Sequence, residues 1–114
     1  MLVASLPTVA QSVGDLELAL NRAIKYANDF DWADIGHSRS YVIASLQLLL
    51  EYFNDLDSLV VGSPDLLAAK NQLFTAQACF WNIRLDSPAD LDYLQLQEGQ
   101  ECLRLALALL RTAL

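Results

Sequence analysis

The sequence contains few of the residues that carry enzyme chemistry. It has one histidine, His37, and two cysteines, Cys79 and Cys102, and its four glycines stand apart at positions 14, 36, 62 and 99. Isolated glycines do not form the loop that cradles a phosphate, and a Ser/His/Asp or Cys/His arrangement would have to be built on His37. The sequence therefore predicts a non-enzymatic protein with no catalytic residues and no cofactor.

Positive charge is also scarce. Seven Lys and Arg side chains stand against fourteen Asp and Glu side chains, which gives a formal net charge of −7. Because nucleic-acid binding relies on clustered Lys and Arg, we expect no nucleic-acid partner. The acidic surface has two interpretations: a solvated face, or a docking surface for a basic protein partner.

Long apolar runs are missing too. No stretch approaches the roughly 20 residues that span a bilayer, and no basic residue precedes the short apolar part of the N-terminus. We therefore expect neither a transmembrane segment nor a secretory signal. In an antiparallel hairpin, Cys79 and Cys102 lie too far apart for a disulfide. Two buried free thiols indicate a reducing compartment, which favours a cytoplasmic location.

The sequence is rich in hydrophobic residues and contains clear signals for the starts of helices. They make up 54% of the chain, against about 45–50% in typical soluble domains, and this surplus favours a homodimer. Ser63-Pro64 and Ser87-Pro88 each place a hydroxyl at a helix N-cap and a proline at the first helical position. The connections before them are short, so consecutive helices must be antiparallel neighbours. The sequence predicts an all-α, up-down antiparallel four-helix bundle.

Helix 2 is predicted to be the central element because apolar residues repeat every seven positions along it, with further apolar residues four places after three of them. This seam consists of Ile35, Val42, Leu46, Leu49, Phe53, Leu56 and Val60. The N-terminal residues 1–11 contain Pro7 and are predicted to form an arm, while 12–114 form a single domain. The other predicted helices are 12–28, which is the shortest, 64–85, and 88 to the C-terminus.

The connection between helices 1 and 2 carries the candidate metal or acid/base residues, which are Asp29, Asp31, Asp34 and His37. On a helix, Asp34 and His37 would share a face, a spacing that can chelate a metal. One such pair is too few for a carboxylate-bridged di-iron bundle, and the spacing does not fit an EF-hand. We interpret the segment as a capped, solvated connection and predict no metal site.

The C-terminal helix is too apolar to be exposed on all of its outer side. Its apolar arc covers roughly 200°, about twice what a helix lying on one core needs, so one ridge is predicted to remain for a partner. The small residues Cys102, Ala106 and Ala113 suit close packing inside the bundle. The predicted exposed ridge is therefore the set of larger side chains, Leu103, Leu107, Leu110 and Leu114.

A second candidate interface is the flank of helix 3, which is polar but nearly uncharged, as interface cores are. Asn71, Gln72 and Thr75 represent it, and Trp32 in the first connection completes the predicted interface set. We interpret seven other aromatic residues as core; these are Tyr41, Tyr52, Phe53, Phe74, Phe80, Trp81 and Tyr93.

These features favour a protein-interaction module, that is, a small acidic adaptor, regulator or chaperone-like factor that acts as a homodimer or holds a protein partner. Two alternatives remain open. One is association with a membrane surface through the helix that carries Arg104 and Arg111. The other is a small apolar ligand held inside the aromatic-lined bundle.

Overall fold

The computed structural model describes the backbone of residues 2–56, 60–86 and 89–113, and the side chains of that set from Gly14 onward. Within these residues the chain forms four α-helices and a short 3₁₀ turn, with no strand. The helices are α1 (Leu2–Asn28), α2 (Ile35–Asp55), α3 (Pro64–Trp81) and α4 (Asp90–Ala113), and the 3₁₀ turn is Trp32–Asp34. The predicted all-α class is confirmed.

Each helix packs against two others, in the closed order α1, α2, α3, α4 and back to α1. The contacts show that neighbours run in opposite directions. Tyr26, late in α1, stacks on Tyr41, early in α2, with ring centroids 5.5 Å apart. Lys70, early in α3, donates to Asn54, late in α2, over 3.3 Å.

The first and last helices close the bundle in the same antiparallel sense. Gln100 Nε2 donates to the carbonyl oxygen of Ala27 at 3.0 Å, and Arg111 Nε donates to Glu17 Oε1 at 3.2 Å. The earlier position on α1 therefore faces the later position on α4. The up-down antiparallel four-helix bundle predicted from the short connections is confirmed.

The core is centred on the α2 seam. Val42, Leu46 and Leu49 are fully buried, and Phe53 is nearly so. Leucines on α1, α3 and α4 surround them and complete one continuous core. Leu56, near the end of the seam, is half-buried against this core. The seam thus forms the interior of the bundle, as its periodicity predicts.

The predicted start of the first helix is wrong. α1 begins at Leu2, and its 27 residues make it the longest helix rather than the shortest; the shortest is α3, with 18 residues. The predicted N-terminal arm, residues 1–11, therefore lies almost entirely within α1. A proline removes one helical hydrogen bond, but the three-and-four spacing of apolar residues continues across Pro7. That spacing comprises Leu2, Leu6, Val9, Val13, Leu16, Leu20, Ala23 and Ala27.

Helix α3 begins as predicted, since Ser63 is its N-cap and accepts a hydrogen bond from Leu66 N at 3.2 Å. It ends at Trp81, four residues before the predicted end at Leu85. The predicted start of the last helix, at Pro88, lies outside the described residues. The helix as described begins at Asp90.

Buried Asp92 organises the connection between α3 and α4. Its carboxylate accepts hydrogen bonds from Ala89 N at 2.7 Å and from Arg84 N at 3.0 Å. Arg84 Nε also donates to Asp92 Oδ2 at 3.4 Å. These backbone donors, first Ala89 and then Arg84, hold the pKa of Asp92 below its ordinary value. One ionised side chain thus satisfies two backbone groups of the connection.

Candidate interaction surface

The ridge predicted to be exposed on α4 lies inside the bundle. Leu103 and Leu110 are buried, and Leu107 is half-buried against the core; Leu114 lies outside the described residues. The prediction placed the leucines and the small residues on opposite sides, but they share one buried face. Gly99, Cys102 and Ala106 are buried beside the leucines, because the Phe80 ring of α3 packs directly on Gly99.

An exposed apolar stripe lies instead on α3. Leu67, Phe74 and Trp81 follow one another at seven-residue intervals and are 44%, 49% and 51% exposed. The residue before each of them faces the core: Leu66, Leu73 and Phe80 are buried. Together with Asn71 and Ala78, which are also exposed, these three residues make a seam with alternating steps of four and three. We call Leu67, Asn71, Phe74, Ala78 and Trp81 the α3 stripe.

The surroundings of the α3 stripe are nearly uncharged. Lys70 is the one charged residue between Asp65 and Arg84, and its ammonium group donates to the side chain of Asn54. Thr75 is exposed and donates to the carbonyl oxygen of Asn71 at 3.1 Å. Of the predicted helix 3 residues, Asn71 belongs to the stripe and Thr75 lies beside it. Gln72 is half-buried.

Arg39 of α2 fixes the C-terminal end of the α3 stripe. Its guanidinium lies 5.2 Å from the centroid of the Trp81 ring. It also donates to the carbonyl oxygens of Ile83 at 2.9 Å and Trp81 at 3.5 Å. The last carbonyl groups of a helix carry partial negative charge and lack helical partners. Arg39 therefore caps α3 and holds Trp81 in place.

Trp32, predicted as an interface residue, packs within the chain. Its ring centroid lies 5.0 Å from that of Phe30 and 4.2 Å from that of Tyr93. Half-buried against the core, Trp32 joins the first connection to the start of α4. Tyr41, Phe74, Trp81 and Tyr93, predicted to be core aromatics, are each exposed by about half, whereas Phe53 and Phe80 are buried as predicted.

The candidate metal residues surround an open cavity of about 260 Å³ at the first connection, lined by Tyr26, Asp29, Asp31, Asp34, His37, Ser38 and Tyr41. Two of the aspartates act as caps. Asp31 accepts from Ala33 N at 2.9 Å, and Asp34 accepts from His37 N and lies 2.9 Å from His37 Nδ1. Within the described part of the chain, no group of three or more His, Cys, Asp or Glu side chains could hold a metal ion.

The two cysteines are free and buried. Burial raises the pKa of the Cys79 thiol to about 11, and burial likewise raises the pKa of the Cys102 thiol. The thiolate is the nucleophilic form of cysteine. At neutral pH both side chains are therefore packing groups.

The two arginines considered for membrane association are engaged with carboxylates. Arg104 Nη2 donates to Glu101 at 2.9 Å, and Arg111 donates to Glu17. Each positive charge is thus offset by a neighbouring negative one, which weakens attraction to anionic lipid.

Among the described residues, no helix has both the length and the apolar character needed to cross a membrane.

Comparison with known proteins finds no matching protein-family model, no matching curated protein and no matching solved structure. The candidate interaction surface centres on Leu67, Phe74 and Trp81, none of which was predicted as an interface residue. Their seven-residue spacing was the available signal, but the adjacent Leu66, Leu73 and Phe80 have the same spacing.

Proposed function

We propose that this protein is a non-enzymatic protein-interaction module, a small helical adaptor, regulator or chaperone-like factor. The observation that carries the proposal is the α3 stripe, which exposes Leu67, Phe74 and Trp81 on one nearly uncharged helix face. Contiguous exposed apolar surface on a folded domain is typical of a binding site. Aromatic residues are enriched at protein interfaces, and charged residues are depleted at their centres.

The α3 stripe has the form that a partner helix recognises. Apolar side chains at steps of three and four residues present a continuous ridge to a second helix. Arg39 supports this interpretation, because its contacts with Trp81 and Ile83 hold the end of the ridge in position before any partner arrives. A preformed surface loses less side-chain entropy on binding.

We include a cytoplasmic location in the proposal, supported by the two free cysteines, which persist as thiols in reducing compartments. The pairing of Arg104 and Arg111 with carboxylates favours a protein partner over a membrane surface.

Affinity capture with three forms of the tagged protein tests the proposal: the parent, Phe74→Glu and Leu94→Glu. Leu94 is the matched control, since it is an exposed leucine on α4, outside the α3 stripe. The parent and Leu94→Glu should retain the same protein partner, and Phe74→Glu should lose it, with the binding reproduced from purified components. A partner that all three forms hold equally would refute a function based on α3.

A further inference from the structure

We propose that the occupant of the α3 stripe is a second copy of this chain, docked antiparallel across a two-fold axis that passes beside Phe74. The inference rests on the proposed interaction function and specifies its partner. Leu67 and Trp81 lie at equal distances, seven residues, on either side of Phe74. A two-fold axis at Phe74 therefore places Phe74 against Phe74, and Leu67 of each copy against Trp81 of the other.

The steric match of this arrangement is good. The smaller Leu67 meets the larger Trp81 at both ends, and the two Phe74 rings meet at the centre. Aromatic pairs contribute beyond the apolar area they bury. Ala78 offers little side-chain volume beside the axis, so the two helices can approach closely there.

The charge distribution selects a second copy over a basic partner. Two molecules that each carry a charge of −7 repel unless they meet through a face without like charges. The α3 stripe itself carries no charge, and Lys70, the charged α3 residue beside it, comes level with the uncharged Ala78 of the second copy. Exposed acids lie on the first connection, at Glu98 and Glu101 of α4, and at Glu51 and Asp55 of α2, none of them within the α3 stripe. A basic partner would be drawn to those acids instead.

The ends of the helix pair are also complementary. An antiparallel arrangement brings the N-terminal end of α3, with Asp65, level with the C-terminal end of α3 in the other copy. That end carries Arg39, while Arg84 is already paired with Asp92 of its own chain. Opposed helix dipoles add a small attraction of the same sign.

Sedimentation equilibrium of the parent, Phe74→Glu and Leu94→Glu tests the dimer. The parent and Leu94→Glu should have twice the chain mass at micromolar concentration. Phe74→Glu places two carboxylates against each other on the axis and should weaken association at least about a hundredfold. It should keep the helical circular dichroism of the parent, because Phe74 is half-exposed within one chain. A parent that stays monomeric at several hundred micromolar, or equal weakening by both substitutions, overturns the inference.

Cross-linking gives a second measurement that does not depend on a destabilising charge. Phe74→Cys should be joined into covalent dimers by a short bis-maleimide, and Leu94→Cys should not, while the native cysteines are buried. Equal cross-linking of both variants overturns the two-fold arrangement. If the parent is monomeric but binds a different protein, and Phe74→Glu no longer binds that protein, the dimer alone is overturned and the proposed interaction function stands.

Discussion

Replacing Gly99 with alanine should destabilise the protein, although alanine is the better helix former. A Cβ atom at position 99 would lie 2.7 Å from Cε2 of Phe80 and 3.0 Å from its Cζ. The Phe80 ring is fully buried, so it has no open side into which to move. Overpacking of this kind costs about 1–3 kcal/mol.

Gly14 provides a matched control for the gain in helix propensity. It lies within α1, and a Cβ atom there would meet nothing within 4 Å. Gly14→Ala should therefore stabilise the protein by about 0.5–1 kcal/mol. Because both substitutions carry a similar propensity gain, the difference between their effects isolates the clash with Phe80. We expect that difference to be about 1–3 kcal/mol.

Urea unfolding of the two single variants, followed by circular dichroism, measures both effects as shifts in the free energy of unfolding. A comparison in the Phe80→Leu background tests the cause. Phe80→Leu removes the ring that packs on Gly99, so Gly99→Ala should cost less in that background than in the parent, by at least about 0.5 kcal/mol. If Gly99→Ala stabilises as much as Gly14→Ala, the close contact between α3 and α4 does not exist.

Three further predictions test the bundle. Asp92→Asn should lower the melting temperature at pH 7. Because the folded-state pKa of Asp92 is lowered, the stability that its carboxylate provides is present above the ordinary pKa near 4 and is lost as pH falls through the lower value. The deficit of Asp92→Asn should therefore shrink between pH 5 and pH 2, and a deficit independent of pH would contradict this role. Arg39→Ala should cost about 1–2 kcal/mol in urea unfolding, because two carbonyl groups at the end of α3 lose a charged donor; no loss would show that water replaces the cap. Leu49→Ala should cost about 2–5 kcal/mol and exposed Glu51→Gln under about 0.5 kcal/mol; equal small losses would contradict the α2 seam.

The parts of the fold that could be predicted are those set by neighbouring residues. The Ser63 cap followed by Pro64 defines the start of α3 locally, and the α2 seam is regular enough to identify a buried face. The antiparallel order follows from the short connections. The cap and the connections depend on a few residues within one or two helical turns, and the seam depends on a regular repeat along a single helix.

The predictions that were wrong depend on which side of a helix its neighbouring helices cover. On α4, the leucine ridge and the small residues are both apolar, and only the packing of the neighbouring helices shows that the two groups share the inner side. On α1, Pro7 is a local signal for a break, but the helix continues through it. Periodicity gives the width of an apolar arc, whereas neighbouring helices decide how it is oriented.

The same limit explains why the α4 ridge predicted to be exposed is buried, and why the exposed apolar residues of α3 were not predicted. Phe74 and Trp81 were assigned to the core because their spacing is typical of core packing, and their neighbours Leu73 and Phe80 fit the core equally well. The uncharged flank of α3 was identified correctly as a feature of the sequence. The apolar residues that complete it could be recognised only once the packing of α3 was known.

The paired apolar positions of α3 give this helix two nearly equivalent sides. A rotation of about 100°, one residue, would exchange Leu66, Leu73 and Phe80 for Leu67, Phe74 and Trp81. The notch at Gly99 accepts the ring at position 80, and Arg39 holds the ring at position 81 outside. One missing methyl group and one guanidinium thus set the rotational register of the helix, and with it which hydrophobic residues the protein offers to other molecules.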